Sequence, residues 1–170
     1  MDKRRDMKAD LLAMRRYARA LARDDQDADD VVQDALVRAI ERQATYQPER
    51  SRTRWLLAIV HNVFVSGRRR EAAEARRNSR FAETLLASVD PQQEAQVRLT
   101  EIARDFAALP DAQRAALHLT AIEGLSYQEA ADVLGVPIGT VMSRLSRARA
   151  TLREGQGMPH LRLIGGQDEQ

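Results

Sequence analysis

The sequence predicts an all-α fold made of two small helical domains joined by a flexible linker, the C-terminal one containing a helix-turn-helix. Three observations carry that prediction. Aromatic residues are only 4% of the 170 residues while hydrophobic residues reach 44%, which suits Leu, Ala and Val packing between helices better than a sheet. Apolar residues recur at spacings of three and four along most of the chain. The stretch Ser126 to Arg149, SYQEAADVLGVPIGTVMSRLSRAR, reads as two helices joined by a tight turn, the second one basic.

The elements follow in order. From about Lys8 to Arg23, Leu11, Met14, Ala18 and Leu21 share one side of a first helix. After an acidic segment, a second helix from about Ala28 to Arg42 has Asp27 or Asp29 as a plausible cap and places Val31, Val32, Ala35, Leu36, Ala39 and Ile40 inward. Its outer face carries Asp30, Gln33, Asp34, Val37, Arg38 and Glu41. A loop from Ala44 to Thr53 holds Tyr46, Pro48 and several arginines. Trp55, Leu56, Ile59, Val60, Val63 and Phe64 then define a third, amphipathic helix that runs into Arg68, Arg69 and Arg70. The composition next shifts to Ala, Glu, Ser and Arg, and Ser88-Val89-Asp90-Pro91 is a break at which Asp90 can cap a helix and Pro91 can open it. That helix runs to about Ala108 with Leu99, Ile102, Ala103 and Phe106 on its apolar side, and another from Asp111 to Glu123 presents Ala115, Leu117, Leu119 and Ile122. The predicted division is a first domain over 1–78, a linker over 79–92, a second domain over 93–155 and a tail over 156–170.

Within the second domain the local signals are dense. Ser126 and Glu129 have the spacing of a capping box, in which the hydroxyl accepts from a first-turn N–H and the carboxylate reaches back to the cap N–H. Ala130, Ala131, Val133 and Leu134 face inward, and Gly135 ends the helix by taking a left-handed conformation ahead of Val136 and Pro137. A second helix from near Gly139 buries Val141, Leu145, Ala148 and Leu152. Its other face holds Thr140, Ser143, Arg144, Arg147 and Arg149, and no acidic residue interrupts Gly139 to Arg153. Hydroxyls and guanidiniums side by side suit base edges and phosphates in a major groove.

Charge and composition narrow the function. The net charge is only +2, but acid gathers at Asp24 to Asp34 and base at Arg68 to Arg80 and Arg144 to Arg153, which points to two kinds of partner. With Cys 0 there is no disulfide framework, thiolate metal site or cysteine nucleophile. Three scattered histidines, no glycine-rich phosphate loop and no carboxylate–histidine metal motif leave nothing to carry a reaction, so neither an enzyme nor a cofactor is expected. Asp25, Asp27 and Asp29 hint at a calcium loop, but Asp30 stands where that loop requires glycine and Leu36 where it requires glutamate. Apolar runs such as WLLAIV are too short to span a bilayer, MDKRRDMKAD leads into no signal core, and a cytoplasmic location is expected.

This order of features resembles extracytoplasmic-function (ECF) sigma factors, the compact two-domain members of the sigma-70 family. DADDVVQDALVRAI is similar to the family's region 2.2, RTRWLLAIVHNVFVSGRRR to regions 2.3 and 2.4, and LPDAQRAALHLTAIEGLSYQEAADVLGVPIGTVMSRLSRARATLR to region 4. The resemblance implies a transcription factor that binds core RNA polymerase, places it at promoter DNA and initiates transcription of a stress or envelope-response regulon. Asp29, Asp30, Gln33 and Asp34 would dock the clamp helices of the β′ subunit. Tyr46, Gln47 and Ser51 would handle the −10 element, where a base is captured from the separated strand, with Arg50, Arg52, Arg54, Arg68, Arg69 and Arg70 on the backbone and Asn62 on backbone or base. Trp55 is in register with Ile59 and Val63, which favours a core role over a stacking platform. Thr140, Met142, Ser143, Arg144 and Arg147 would read the −35 element, with Arg149 and Arg153 on phosphates. The two elements lie more than one helical turn of ~34 Å apart, and a linker of about fourteen residues can extend roughly 45 Å. An anti-sigma factor is implied as a further partner. The competing reading, a stand-alone helix-turn-helix transcriptional regulator, explains the C-terminal half equally well but leaves the acidic helix, the Trp55 helix and the arginine edge without a joint purpose.

Overall fold

The computed structural model describes residues 3–22, 24–77 and 102–155; the predicted linker over 79–92 and tail over 156–170 lie outside them, as do Leu99 and the predicted start at Pro91. Among the described residues are six α-helices, one 3-10 turn, a helical stretch over 102–108 and no strand. None of these helices is long and apolar enough to cross a membrane.

Helix α1 (Lys3–Leu21) buries Ala13, Met14, Tyr17, Ala18 and Leu21, a stripe with the 3.6-residue period. Helix α2 (Asp25–Glu41) is capped by Asp24, in place of the predicted Asp27 or Asp29. The Asp24 backbone is extended, at φ −142°, and its side chain accepts from the Asp27 N–H at 2.8 Å. The acidic run offered several chemically equal caps, and only the one outside the helical turn can serve. A second correction concerns the inward face of α2. Leu36 is 37% exposed and Ile40 75%, because the buried arc is centred on Ala28, Val32, Ala35 and Ala39 and both residues fall beyond its edge.

Helix α3 (Arg52–Arg77) begins inside the predicted loop. Ser51 Oγ accepts the Arg54 N–H at 3.4 Å there, and the buried carboxylate of Asp10 in α1 uses both oxygens on the first residues of α3. Thr53 Oγ1 donates to one at 2.6 Å and the Arg52 guanidinium pairs with the other. A carboxylate beside a helix N-terminus is also favoured by the helix dipole. From there Leu56, Leu57, Ile59, Val60, Val63 and Phe64 close the three-helix unit.

In the second unit, α4 (Asp111–Ala121), α5 (Tyr127–Leu134) and α6 (Ile138–Gly155) follow the turn at Leu109 and Pro110. Ile102 and Ile122, predicted inward, are 47% and 60% exposed, and Ala103 is exposed as well. Both capping-box bonds are present in α5: Ser126 Oγ accepts the Glu129 N–H and Glu129 accepts the Ser126 N–H. Gly135 takes φ 63°, ψ 36°, the left-handed region where a side chain is strained, and so turns the chain towards α6.

The two units share one continuous apolar core that runs from Met14 and Tyr17 to Leu119, Leu134 and Leu145. Helix α1 packs on α4 and helix α3 on α5. Arg114, buried, seals this junction: its guanidinium donates to the carbonyls of Ala107 at 2.7 Å, Leu109 at 2.9 Å and Leu21 at 3.0 Å, and to Asp111 Oδ1 at 2.8 Å. It thereby ties the end of α1 to the turn that opens α4.

Candidate nucleic-acid interface

The loop between α2 and α3 is folded on itself. A 3-10 turn over Gln43–Thr45 is followed by a turn closed by the Arg50 N–H on the Gln47 carbonyl at 2.9 Å, and Thr45 Oγ1 donates to the Arg42 carbonyl at 2.7 Å. Tyr46 lays its ring against Trp55, with centroids 5.4 Å apart and planes at 48°, while its hydroxyl donates to the Arg50 carbonyl at 3.3 Å. Gln47, Arg50 and Ser51 are exposed. Trp55 is half-buried, so it belongs to the packing of α3 and also offers a face outward. That face borders a cavity of about 300 Å³ lined by Arg50, Ser51, Arg54, Trp55 and Ala58 from the first unit and by Glu129, Asp132 and Val133 from the second. Asn62 and Arg69 follow Trp55 at intervals of seven, on the same side of α3, and both are exposed together with Arg70.

Not all the arginines are free for a ligand. Arg52 is committed to Asp10, Arg54 pairs with Glu129 at 2.9 Å, and Arg68 pairs with Glu71 at 3.2 Å and Asp111 at 3.3 Å. On α6, Met142, Ser143, Arg147, Arg149 and Arg153 are exposed and Thr140 is half-buried. Ser143 Oγ donates to the Thr140 carbonyl at 2.9 Å, and Arg149 reaches the Tyr127 hydroxyl at 3.3 Å. Arg144 departs from the predicted face. It precedes buried Leu145 by one position, is half-buried, and borders a cavity of about 490 Å³ that it shares with His61, Arg68, Arg69, Arg76 and Asp111. The acidic helix has its own geometry: Asp29, Asp30, Gln33 and Asp34 are all exposed, and Asp30 and Asp34 border a cavity of about 430 Å³ beside Arg68 and Asp111, while Gln33 lies with Leu36, Val37 and Ile40 on the adjoining open side of α2.

Three residues of the junction, Arg16, Tyr17 and Glu123, gave no local signal in the sequence. Glu123 takes both Arg16 nitrogens, at 3.1 Å and 2.9 Å, and lies 3.1 Å from His118 Nε2. Fully buried Tyr17 sits between two histidines, its hydroxyl 3.0 Å from His61 Nδ1 and its ring centroid 5.4 Å from that of His118. Burial raises the Tyr17 pKa, with the Arg144 charge opposing, so the hydroxyl stays protonated and shares a hydrogen bond with His61. Burial, and then the Arg144 charge, lower the His61 pKa to about 4. Burial also lowers that of His118, against the opposing pull of Glu123. The unfolded chain therefore binds protons more readily than the folded one from about pH 6.5 down to about 4, and stability must fall with acidification across that window. Full stability is present above it. For His61 the loss is on the order of 2 to 3 kcal/mol. Thermal melts at pH 7.5 and 4.5 are expected to show this, and His61→Gln is expected to remove much of the difference.

Comparison with known proteins adds the family. A model described as Sigma-70 region 2 matches residues 8–74, and one described as Sigma-70, region 4 matches residues 99–152. The chain is 36% identical over 152 residues to the ECF RNA polymerase sigma factor EcfG of Rhodopseudomonas palustris, covering 88% of this chain and 82% of that one. It is 34% identical over 156 residues to the RNA polymerase sigma factor CnrH of Cupriavidus metallidurans, covering 83% and 79%. In three dimensions it is similar to the sigma factor RpoE from Bartonella quintana, solved with the anti-sigma factor NepR, with a TM-score of 0.76 at 31% identity over 90% of this chain and 95% of that one. The helical units, the capped helix-turn-helix and these matches together show that the chain belongs to the sigma-70 family, in its ECF branch, and is an RNA polymerase sigma factor.

Proposed function

We propose that the two units divide promoter recognition as regions 2 and 4 of the family do, the first capturing a −10 base and the second reading the −35 element. The observation that supports this most is the cavity beside Trp55. It joins an aromatic wall, a serine and two arginines at the end of a short, internally hydrogen-bonded loop, which suits a base pulled from the stack with its phosphates held by guanidiniums. Exposed Arg69, Arg70 and Asn62 continue the track along α3. Arg147 is the foremost candidate on α6, since its exposed side chain makes no ion pair among the described residues. Asp29, Asp30, Gln33 and Asp34, with Leu36, Val37 and Ile40 around them, offer core polymerase a mixed acidic and apolar surface that wraps the outside of α2.

On this reading the protein performs no chemistry, works in the cytoplasm beside polymerase, serves a stress or envelope-response regulon and is restrained by an anti-sigma factor, as RpoE is bound by NepR in its solved complex. The test is reconstituted transcription: purified chain plus bacterial core polymerase on a promoter library, with Arg147→Ala alongside. Promoter-specific transcripts that require the chain and fall about tenfold or more in the variant support the assignment, since one good guanidinium contact to a base contributes about 1–3 kcal/mol. Sequence-specific DNA binding without any stimulation of polymerase would leave a stand-alone regulator instead.

A further inference from the structure

Among the described residues, the three ion pairs that join the two units run in the same sense. The first unit supplies the guanidinium and the second the carboxylate: Arg16 with Glu123, Arg54 with Glu129, Arg68 with Asp111. Two of these arginines are among those assigned to the −10 strand. The carboxylates thus stand where phosphate oxygens would otherwise stand, and Asp132 joins Glu129 in walling the cavity beside Trp55. Arg144 of α6 is turned into the junction as well, close enough to Tyr17 and His61 for its charge to act on both.

We propose that the acidic edge of α5, Glu129 with Asp132, closes one side of the −10 cavity and pairs with Arg54 as a carboxylate surrogate for promoter DNA that holds the free chain closed. The inference rests on the promoter-binding reading above. Geometry supports competition over mere adjacency. A strand laid along the cavity beside Trp55 meets the carboxylates of Glu129 and Asp132 on its far wall, and a phosphate reaching Arg54 competes with Glu129 for the same guanidinium. Opening the junction at this point also frees Arg144 from its half-buried position, so occupancy of the −10 cavity and availability of the −35 face are coupled through one rigid unit.

The test exploits the capping box. Glu129→Gln keeps an oxygen to accept the Ser126 N–H and so preserves the helix start, while removing the charge that Arg54 meets. Asp132→Asn likewise keeps an acceptor for Gln128. The chain has no cysteine, so single cysteines at exposed Glu41 and Thr151 accept a dye pair that reports the separation of the units in the full-length protein. The double variant Glu129→Gln/Asp132→Asn is expected to lengthen the dye separation and to bind a mixed-sequence single-stranded DNA 20-mer about threefold more tightly than the wild type, in line with the modest strength of exposed ion pairs. Unchanged separation overturns the proposal, and so does a longer separation with unchanged DNA affinity. If neither protein binds the oligonucleotide while the dye separation still responds, the promoter-binding reading has failed and the surrogate reading with it. Equal binding by both refutes the surrogate alone.

Discussion

Replacing Asp30 and Asp34 together by arginine is expected to weaken binding to core RNA polymerase about a hundredfold, since disturbing a desolvated charge pair costs roughly 2–5 kcal/mol. Both side chains are exposed, neither forms an ion pair among the described residues, and the cap of α2 is Asp24, so the fold should barely register the change. Thermal stability within about 0.5 kcal/mol of wild type is the accompanying expectation. A competition assay against a labelled sigma factor, run beside thermal melts, separates the two effects. A variant that keeps its polymerase affinity would move the docking surface away from this end of α2, towards the apolar side where Leu36, Val37 and Ile40 lie.

The largest effect on stability is expected at Arg114. Its side chain is 9% exposed and its guanidinium joins three carbonyls and one carboxylate contributed by α1, by the Leu109 turn and by α4 itself. Arg114→Met keeps much of the apolar stem but leaves those acceptors without donors, and breaking a buried charged network in this way costs about 3–5 kcal/mol. For a chain of this size that is about 10 °C in the midpoint of thermal unfolding. Arg114→Lys should recover little, because one ammonium lacks the planar fork that reaches acceptors on three sides. A shift of only two or three degrees would mean that the junction is held by its apolar core and not by this side chain.

The sequence made the helix-turn-helix legible because its signals are local: a cap and its return partner lie three residues apart at Ser126 and Glu129, and Gly135 stands where only a left-handed turn will do. Periodicity likewise located the helices. It misassigned Leu36 and Ile40 because apolar side chains were read as inward-facing, whereas small alanines at 28, 35 and 39 make the contact and leave the larger residues outside. The start of α3 lies earlier than the periodicity suggests because Arg52 and Thr53 are held by Asp10, which is far away in the chain and carries no mark of its partners. Arg144 fails for a related reason. A one-signed helix face looks uniform in sequence, and only the neighbouring unit distinguishes the arginine beside Leu145 from the one at 147.

The uniform sense of the inter-unit ion pairs has a consequence for how this protein should respond to counterions. DNA binding weakens with added salt, by about 0.9 in the logarithmic slope for each phosphate neutralised. Salt also screens Arg16–Glu123, Arg54–Glu129 and Arg68–Asp111, and so makes the closed arrangement easier to leave. The two dependences oppose each other. On the promoter-binding reading proposed above, Arg54 and Arg68 exchange carboxylates for phosphates on binding, and the chain releases fewer counterions than its count of arginines implies. On that reading its affinity for DNA is expected to be buffered against the ionic strength of its surroundings, because of which unit holds the positive partner in each pair.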